Sequence, residues 1–220
     1  KIINPKAESW DEIIKRPSVN NDKLLTLVSE VFDHIQKAGD KAILDYTERF
    51  DQIQNENFQV TKDEILQANK SVSKKLKKAI KQAKKNIEVF HKSQRTKTIQ
   101  VETIKGVKCW QKKYAIDKVG LYIPGGSAPL FSSILMLAIP ARIAGCKEII
   151  ICSPPNKIGS LPAEILYTAQ LCGISKIFKV GGIQAIAGMT FGTKKIPKVY
   201  KIFGPGNQYV TAAKQLATKY

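Results

Sequence analysis

Lys118-Val119-Gly120-Leu121-Tyr122-Ile123, then Pro124-Gly125-Gly126, then a helical stretch over about Phe131–Ala144: this order of strand, turn and helix decides the fold, because it recurs. The second unit runs through Glu148–Cys152, Ser153-Pro154-Pro155 and a helix near Ala163–Leu171. The third has Lys176–Val180, Gly181-Gly182 and a short helix from Gln184, and the fourth has Lys198–Phe203, Gly204-Pro205-Gly206 and a helix from Asn207 to the end. Short β-branched runs alternating with helices predict a parallel sheet with right-handed crossovers. Each turn then follows the carboxyl end of a strand, so all of them gather along one edge. In open α/β sheets that edge is where ligands bind.

Upstream, the period is helical. Asn21 or Asp22 can cap a helix carrying Leu24, Leu25, Val28, Phe32 and Ile35. Gly39 ends it, and Asp40 is expected to cap a second helix with Ile43, Leu44 and Phe50 inward. Thr61 and Glu64 form a capping box before Ile65, and two further helical stretches reach about His91. From Thr98 to Tyr114 the composition turns to Thr, Val and Ile with Gly106 at the middle, which reads as a β-hairpin. The expected fold is α/β. It comprises a helical N-terminal region (1–97), a hairpin connector (98–114) and a Rossmann-like parallel βα domain (115–220), an incomplete dinucleotide-binding fold truncated at its C-terminal end.

The chain has 220 residues, 43% hydrophobic and 25% charged, the ordinary share for a globular protein with a real core. It contains no apolar run of the roughly 18 residues that a membrane-spanning helix needs. Lys1-Ile2-Ile3-Asn4-Pro5-Lys6 lacks the apolar stretch of a signal peptide. Of the four cysteines, Cys146, Cys152 and Cys172 lie in apolar segments, Cys109 does not, and none forms a C-x-x-C pair. Reduced thiols in the cytoplasm, without a membrane partner, are the simplest account.

The formal charge of +18 is unevenly spread: residues 1–61 carry a net −3, 62–118 a net +12 and 119–220 a net +9. The densest run, Lys74, Lys75, Lys77, Lys78, Lys81, Lys84 and Lys85, invites a nucleic-acid reading. Leu76, Ala79, Ile80, Ala83, Ile87 and Phe90 fall between these lysines at helical spacing, which predicts a solvated helix with one buried stripe. With almost no Arg and no aromatic to stack a base, no nucleic-acid partner is expected.

Three strand tips are glycine-rich. Glycine lets backbone N–H groups approach a ligand, and the helix N-terminus behind the turn favours negative charge. Gly204-Pro205-Gly206-Asn207 begins like a dinucleotide fingerprint, but Tyr209 stands where a small residue is usual, and the acidic ribose partner would fall beyond the end of the chain. Tyr122, Gln184 and Asn207 can each present a polar group at a tip. Their structural alternatives are a core aromatic, a solvated amide and a helix cap. Residues 118–220 contain no His and no Asp, and only Glu148 and Glu164 as acids. A general acid–base pair or a zinc site is therefore not expected at this edge. Cys152, the one conceivable nucleophile, sits in an apolar run and reads as a buried thiol, while His34 and His91 read as helix-face residues.

Three long segments at these tips resemble the histidinol dehydrogenase family. Val119–Gly126 with Ser133-Ile134-Leu135-Met136 and Pro140–Gly145 is similar to its first signature. Gly181–Ala187 with Phe191-Gly192-Thr193 is similar to the second, and Ile202–Val210 with Ala213-Lys214 to the third. Gly39-Asp40-Lys41-Ala42 and Tyr46–Asp51 match its N-terminal helices. The resemblance implies a zinc-dependent cytoplasmic homodimer that oxidises L-histidinol through the aldehyde to L-histidine with two NAD⁺, the last step of histidine biosynthesis. It places NAD contacts at Tyr122, Gln184 and Asn207. It puts the zinc ligands, the catalytic Glu-His pair and most substrate contacts downstream of the last motif, so no catalytic or metal-binding residue is assigned here. The chain then corresponds to an N-terminal part, inactive alone, whose remainder should be acidic. Two alternatives remain at this level: a catalytically inactive nucleotide-binding protein of the same fold, and a basic nucleic-acid-binding protein.

Overall fold

The computed structural model describes residues 3–15, 22–54, 57–126 and 128–220. After a short helix α1 (Trp10–Ile14) come α2 (Asp22–Ala38), α3 (Asp40–Asp51), α4 (Lys62–Ser71) and α5 (Lys74–Ser93). A hairpin of β1 (Ile99–Ile104) and β2 (Val107–Gln111) follows, and then β3 (Lys118–Tyr122), α6 (Phe131–Ala144), β4 (Glu148–Ser153), α7 (Ala163–Leu171), β5 (Ile177–Lys179), α8 (Gly182–Phe191), β6 (Lys201–Phe203) and α9 (Gln208–Ala217).

β3 to β6 form one parallel sheet in the order β5-β4-β3-β6. The chain winds outward from β3 through β4 to β5, then crosses back to place β6 on the other side of β3. That reversal opens a crevice at the carboxyl ends of β3 and β6. Both faces of the sheet are covered, which is why its strands read as unbroken apolar runs rather than alternating ones. Val119, Leu121, Ile149, Ile151 and Ile177 point into one core with α6 and α7. Tyr122, Ile150, Cys152 and Phe178 point into the other with α8 and α9. The N-terminal helices share these cores: Val28, Phe32 and Ile43 pack with Ile186 and Met189, and Ile65 and Ile80 with Ile134 and Leu135. The segment around Gln59 bridges antiparallel to Phe178 and so occupies the outer edge of β5.

The α/β class, the hairpin with Gly106 at its turn (φ 86°) and the order of the βα units agree with the sequence reading. Thr61 and Glu64 make the capping box reciprocally, with N–H to oxygen distances of 2.7 and 3.1 Å. Several local expectations are corrected. Gly39, not Asp40, is the N-cap of α3; its φ of 57° turns the chain between two helices with no side-chain cap. Asp40 instead accepts from the Lys195 amide at 3.4 Å. Asn21 lies outside the described residues, and Asp22 already belongs to α2. Leu25 faces outward from α2. On α5 only Ile80 is fully buried, with Leu76, Ala83 and Ile87 partly so. Phe90 is 62% exposed and Ala79 is exposed too. The reason is length and angle: α5 has 20 residues against 14 in α6, the helix it packs on, and Ala79 precedes Ile80 by about 100° of helix. β5 and β6 are shorter than expected. Lys198–Tyr200 does not join β6, because the Val199 amide goes to the carbonyl of Met189 at 3.0 Å instead of a strand partner. α8 begins at Gly182, which puts Gln184 in its first turn, and α9 stops at Ala217.

The hairpin is exposed along both strands, and it carries Ile99, Val101, Ile104, Val107 and Trp110 into solvent. Among the described residues, no helix is long and apolar enough to cross a membrane.

Candidate cofactor cleft

Tyr122 closes β3, Gln184 lies in the first turn of α8, and Asn207 caps α9. All three line one cleft of about 530 Å³ at the carboxyl edge of the sheet. Its floor is made by the tips themselves. A Cβ on Gly125 would come within 2.8 Å of Pro154, and one on Gly181 within 2.4 Å, so glycine at both positions lets the first and third tips close on the proline of the second.

Tyr122 is only 4% exposed, so the core-aromatic reading and the tip reading both describe it. Its ring is in the core, and its hydroxyl oxygen accepts from the Gly182 N–H at 3.1 Å. Burial, opposed by that bond and helped by the nearby Asp51 carboxylate, pushes its pKa up to about 12, so the phenol stays neutral and keeps a proton to donate. Asn207 is indeed a helix cap: its Oδ1 accepts from the Val210 N–H at 3.1 Å. Because the cap takes the oxygen, the amide NH₂ is the group a ligand can use. Gln184 is not a solvated amide. It is 1% exposed, its Nε2 donates to Asp51 at 3.2 Å, and its Oε1 is buried with no hydrogen-bond partner. A buried carbonyl oxygen left unbonded is costly and rare, and it marks a place where a donor from outside belongs.

The N-terminal helices complete the cleft. Leu27 from α2 and Phe50 and Asp51 from α3 line it, and sequence reasoning gave none of them a part in it. The count of acids in residues 118–220 did not take this carboxylate into account. The sheet unit has no Asp, but α3 ends against it and delivers Asp51, whose carboxyl is pushed up by burial. The signal was present, since Phe50 and Asp51 close one of the segments that carry the family resemblance. The amphipathic pattern had assigned Phe50 to the core, where it is in fact 40% exposed.

His34 and His91 lie elsewhere, the first edge-on against Tyr46 and the second beside Gln94. Cys152 is fully buried and its thiol is pushed up by burial, so it is a packing residue. Alkylation of the native protein should therefore modify exposed Cys109 while sparing Cys146, Cys152 and Cys172 until denaturant is added. Peptide mapping that found Cys152 labelled at native conditions would contradict this burial. Among the described residues, no group of three or more His, Cys, Asp or Glu is arranged to hold a metal ion.

A parallel α/β sheet with glycine-rich tips, and a cleft at its switch point beside a buried amide oxygen without a partner, places the chain among the open α/β proteins whose ligand clefts lie at the carboxyl ends of the strands. Comparison narrows the class: the family profile of histidinol dehydrogenase matches residues 14–220. The chain belongs to the histidinol dehydrogenase family. It is 56% identical over 219 residues to the histidinol dehydrogenase of Bacteroides thetaiotaomicron, covering 99% of this chain and 51% of that protein. The Escherichia coli O6:H1 enzyme is 48% identical over 210 residues, covering 95% of this chain and 48% of that protein. The crystal structure of histidinol dehydrogenase from Elizabethkingia anophelis superposes with a TM-score of 0.93 at 50% identity, over 99% of this chain and 50% of that one. The chain thus spans about half the length of the curated relatives it matches.

Proposed function

We propose that this chain is the N-terminal, cofactor-holding part of a histidinol dehydrogenase, which oxidises L-histidinol through L-histidinaldehyde to L-histidine with two NAD⁺. The observation that carries this reading is the convergence of Tyr122, Gln184 and Asn207 on one cleft in which Gln184 Oε1 has no partner. The residues present fit a dinucleotide. They offer a neutral phenol, a free amide NH₂, an unsatisfied carbonyl oxygen and the N-terminus of α9 behind a glycine turn. NAD⁺ bound there supplies the hydride acceptor. The chain's own groups orient it, and α2 and α3 wall off one side from water. This reading places the zinc ligands and the acid–base pair in the rest of the protein, in keeping with the lack of any group of three or more His, Cys, Asp or Glu arranged for a metal ion among the described residues, and no step through them is derived from this chain. The same reading makes the protein a cytoplasmic homodimer, and the exposed apolar hairpin, with Ile104 and Trp110 in solvent, is a surface that such assembly could cover.

Calorimetric titration of NAD⁺ tests the cleft. Saturable binding is expected, and Gln184→Leu, which removes the orphaned oxygen and the bond to Asp51 at similar volume, should weaken it by about tenfold. Undiminished affinity in Gln184→Leu would move the cofactor to another site.

A further inference from the structure

Asp51 reaches the cleft from outside the sheet unit, as the last residue of α3, and its Oδ2 accepts from Gln184 Nε2 at 3.2 Å. That bond decides which way the buried amide points. The flipped amide would set its carbonyl oxygen against the carboxylate oxygen, two acceptors with no proton between them. Held this way, Oε1 faces the first turn of α8, where a Cβ on Gly182 would stand 2.9 Å from it. The space beside that oxygen exists because residue 182 is glycine, at a φ of 58°. The neighbouring cation, Arg49, lies over the ring of Phe50 at 5.4 Å. Among the described residues Asp51 has no ion pair, and burial is what acts on its carboxyl.

The cleft wall formed by α3 and α8 therefore carries a carboxylate with no cation paired to it, bonded to an amide whose unpartnered oxygen lies buried behind the cleft surface. Such a surface takes a ligand that brings adjacent hydroxyl donors and repels one that brings a phosphate there. We propose that Asp51, bonded to the buried Gln184 amide that it orients, is the specificity-determining residue for the dinucleotide, accepting the vicinal hydroxyls of an unphosphorylated ribose and excluding the 2′-phosphorylated form. The inference rests on the reading that this cleft holds a dinucleotide. It adds that the acid facing the ribose comes from the N-terminal helices and not from the sheet unit that carries the glycine turns.

The test is calorimetric titration of the full-length protein with NAD⁺ and with NADP⁺, as wild type, Asp51→Asn and Asp51→Glu. Wild type should prefer NAD⁺ by about tenfold or more, and Asp51→Asn should lose most of that preference, chiefly by gaining affinity for NADP⁺. Asp51→Glu, which keeps the charge, should still reject NADP⁺ while binding NAD⁺ more weakly. The melting temperature of Asp51→Asn should not fall, since a buried charge with no cation beside it costs stability. A lost preference in a variant of undiminished stability is an effect that a merely structural role would not produce. Should wild type bind neither nucleotide, the cofactor reading of the cleft fails and this inference with it. Should wild type prefer NAD⁺ and Asp51→Asn keep that preference, the cofactor reading stands and the role of Asp51 is overturned.

Discussion

Gly204→Ala is expected to destabilise the protein by about 3 kcal/mol or more, an unusually large loss for adding one methyl group. Gly204 follows β6 with a φ of 131°, a backbone conformation that alanine rarely adopts. The added Cβ would lie 2.0 Å from the Tyr122 carbonyl oxygen and 2.9 Å from its carbon. Neither can withdraw cheaply. Tyr122 is paired to Cys152 across the sheet, and the following Ile123 N–H donates to the Cys152 carbonyl at 2.9 Å. The Gly204 carbonyl is itself held by Lys214 Nζ at 2.9 Å. Relief must come from parting β6 from β3, which opens the crevice between Tyr122 and Asn207. Chemical denaturation measures the loss, and Gly126→Ala is the control. Gly126 has no atom within 4 Å of its would-be Cβ and no positive φ, so its change should stay within about 0.5 kcal/mol. A Gly204→Ala protein as stable as that control would mean that the tips are not packed as described.

How much of this was readable beforehand follows from what sets each feature. The sheet and its helices were legible because strands buried on both faces must be apolar throughout, and because glycine and proline punctuate each tip. Glu148–Ser153 and Phe131–Ala144 are found almost to the residue for that reason. Asn207 and Gln184 were legible as tip residues because the turn before each fixes its place at a helix start. Asp51 was not legible as part of the cleft. It is 71 residues before Tyr122 in the chain, and only the packing of α2 and α3 on α8 brings the two together. The same long-range packing explains Lys198–Tyr200, which has strand composition but gives its Val199 amide to the end of α8. Periodicity says which face of a helix is apolar. It does not say how far the neighbour beneath it extends, and Phe90 is exposed on that account.

The contact between the N-terminal helices and the sheet unit makes a second strong expectation, that Phe32→Ala costs about 3–5 kcal/mol and weakens cofactor binding without abolishing it. Phe32 is fully buried on α2, edge-on to Phe191 of α8 with ring centroids 5.6 Å apart and stacked on Tyr220 at 6.2 Å. Truncation leaves a cavity that α2 and α8 share. It loosens α8, whose first turn holds Gln184, and α2, whose Leu27 lines the cleft. Were residues 1–97 a separate unit, their helices would melt first and the sheet would go on binding NAD⁺. With both cores shared between these helices and the sheet, helical circular dichroism and NAD⁺ binding should be lost together in a single denaturant transition at a lower midpoint. Saturating NAD⁺ should raise that midpoint in wild type and variant alike, because a ligand that binds only the folded state stabilises it by mass action. Two separated transitions, with NAD⁺ affinity surviving the first, would show that the N-terminal helices are no part of the cleft.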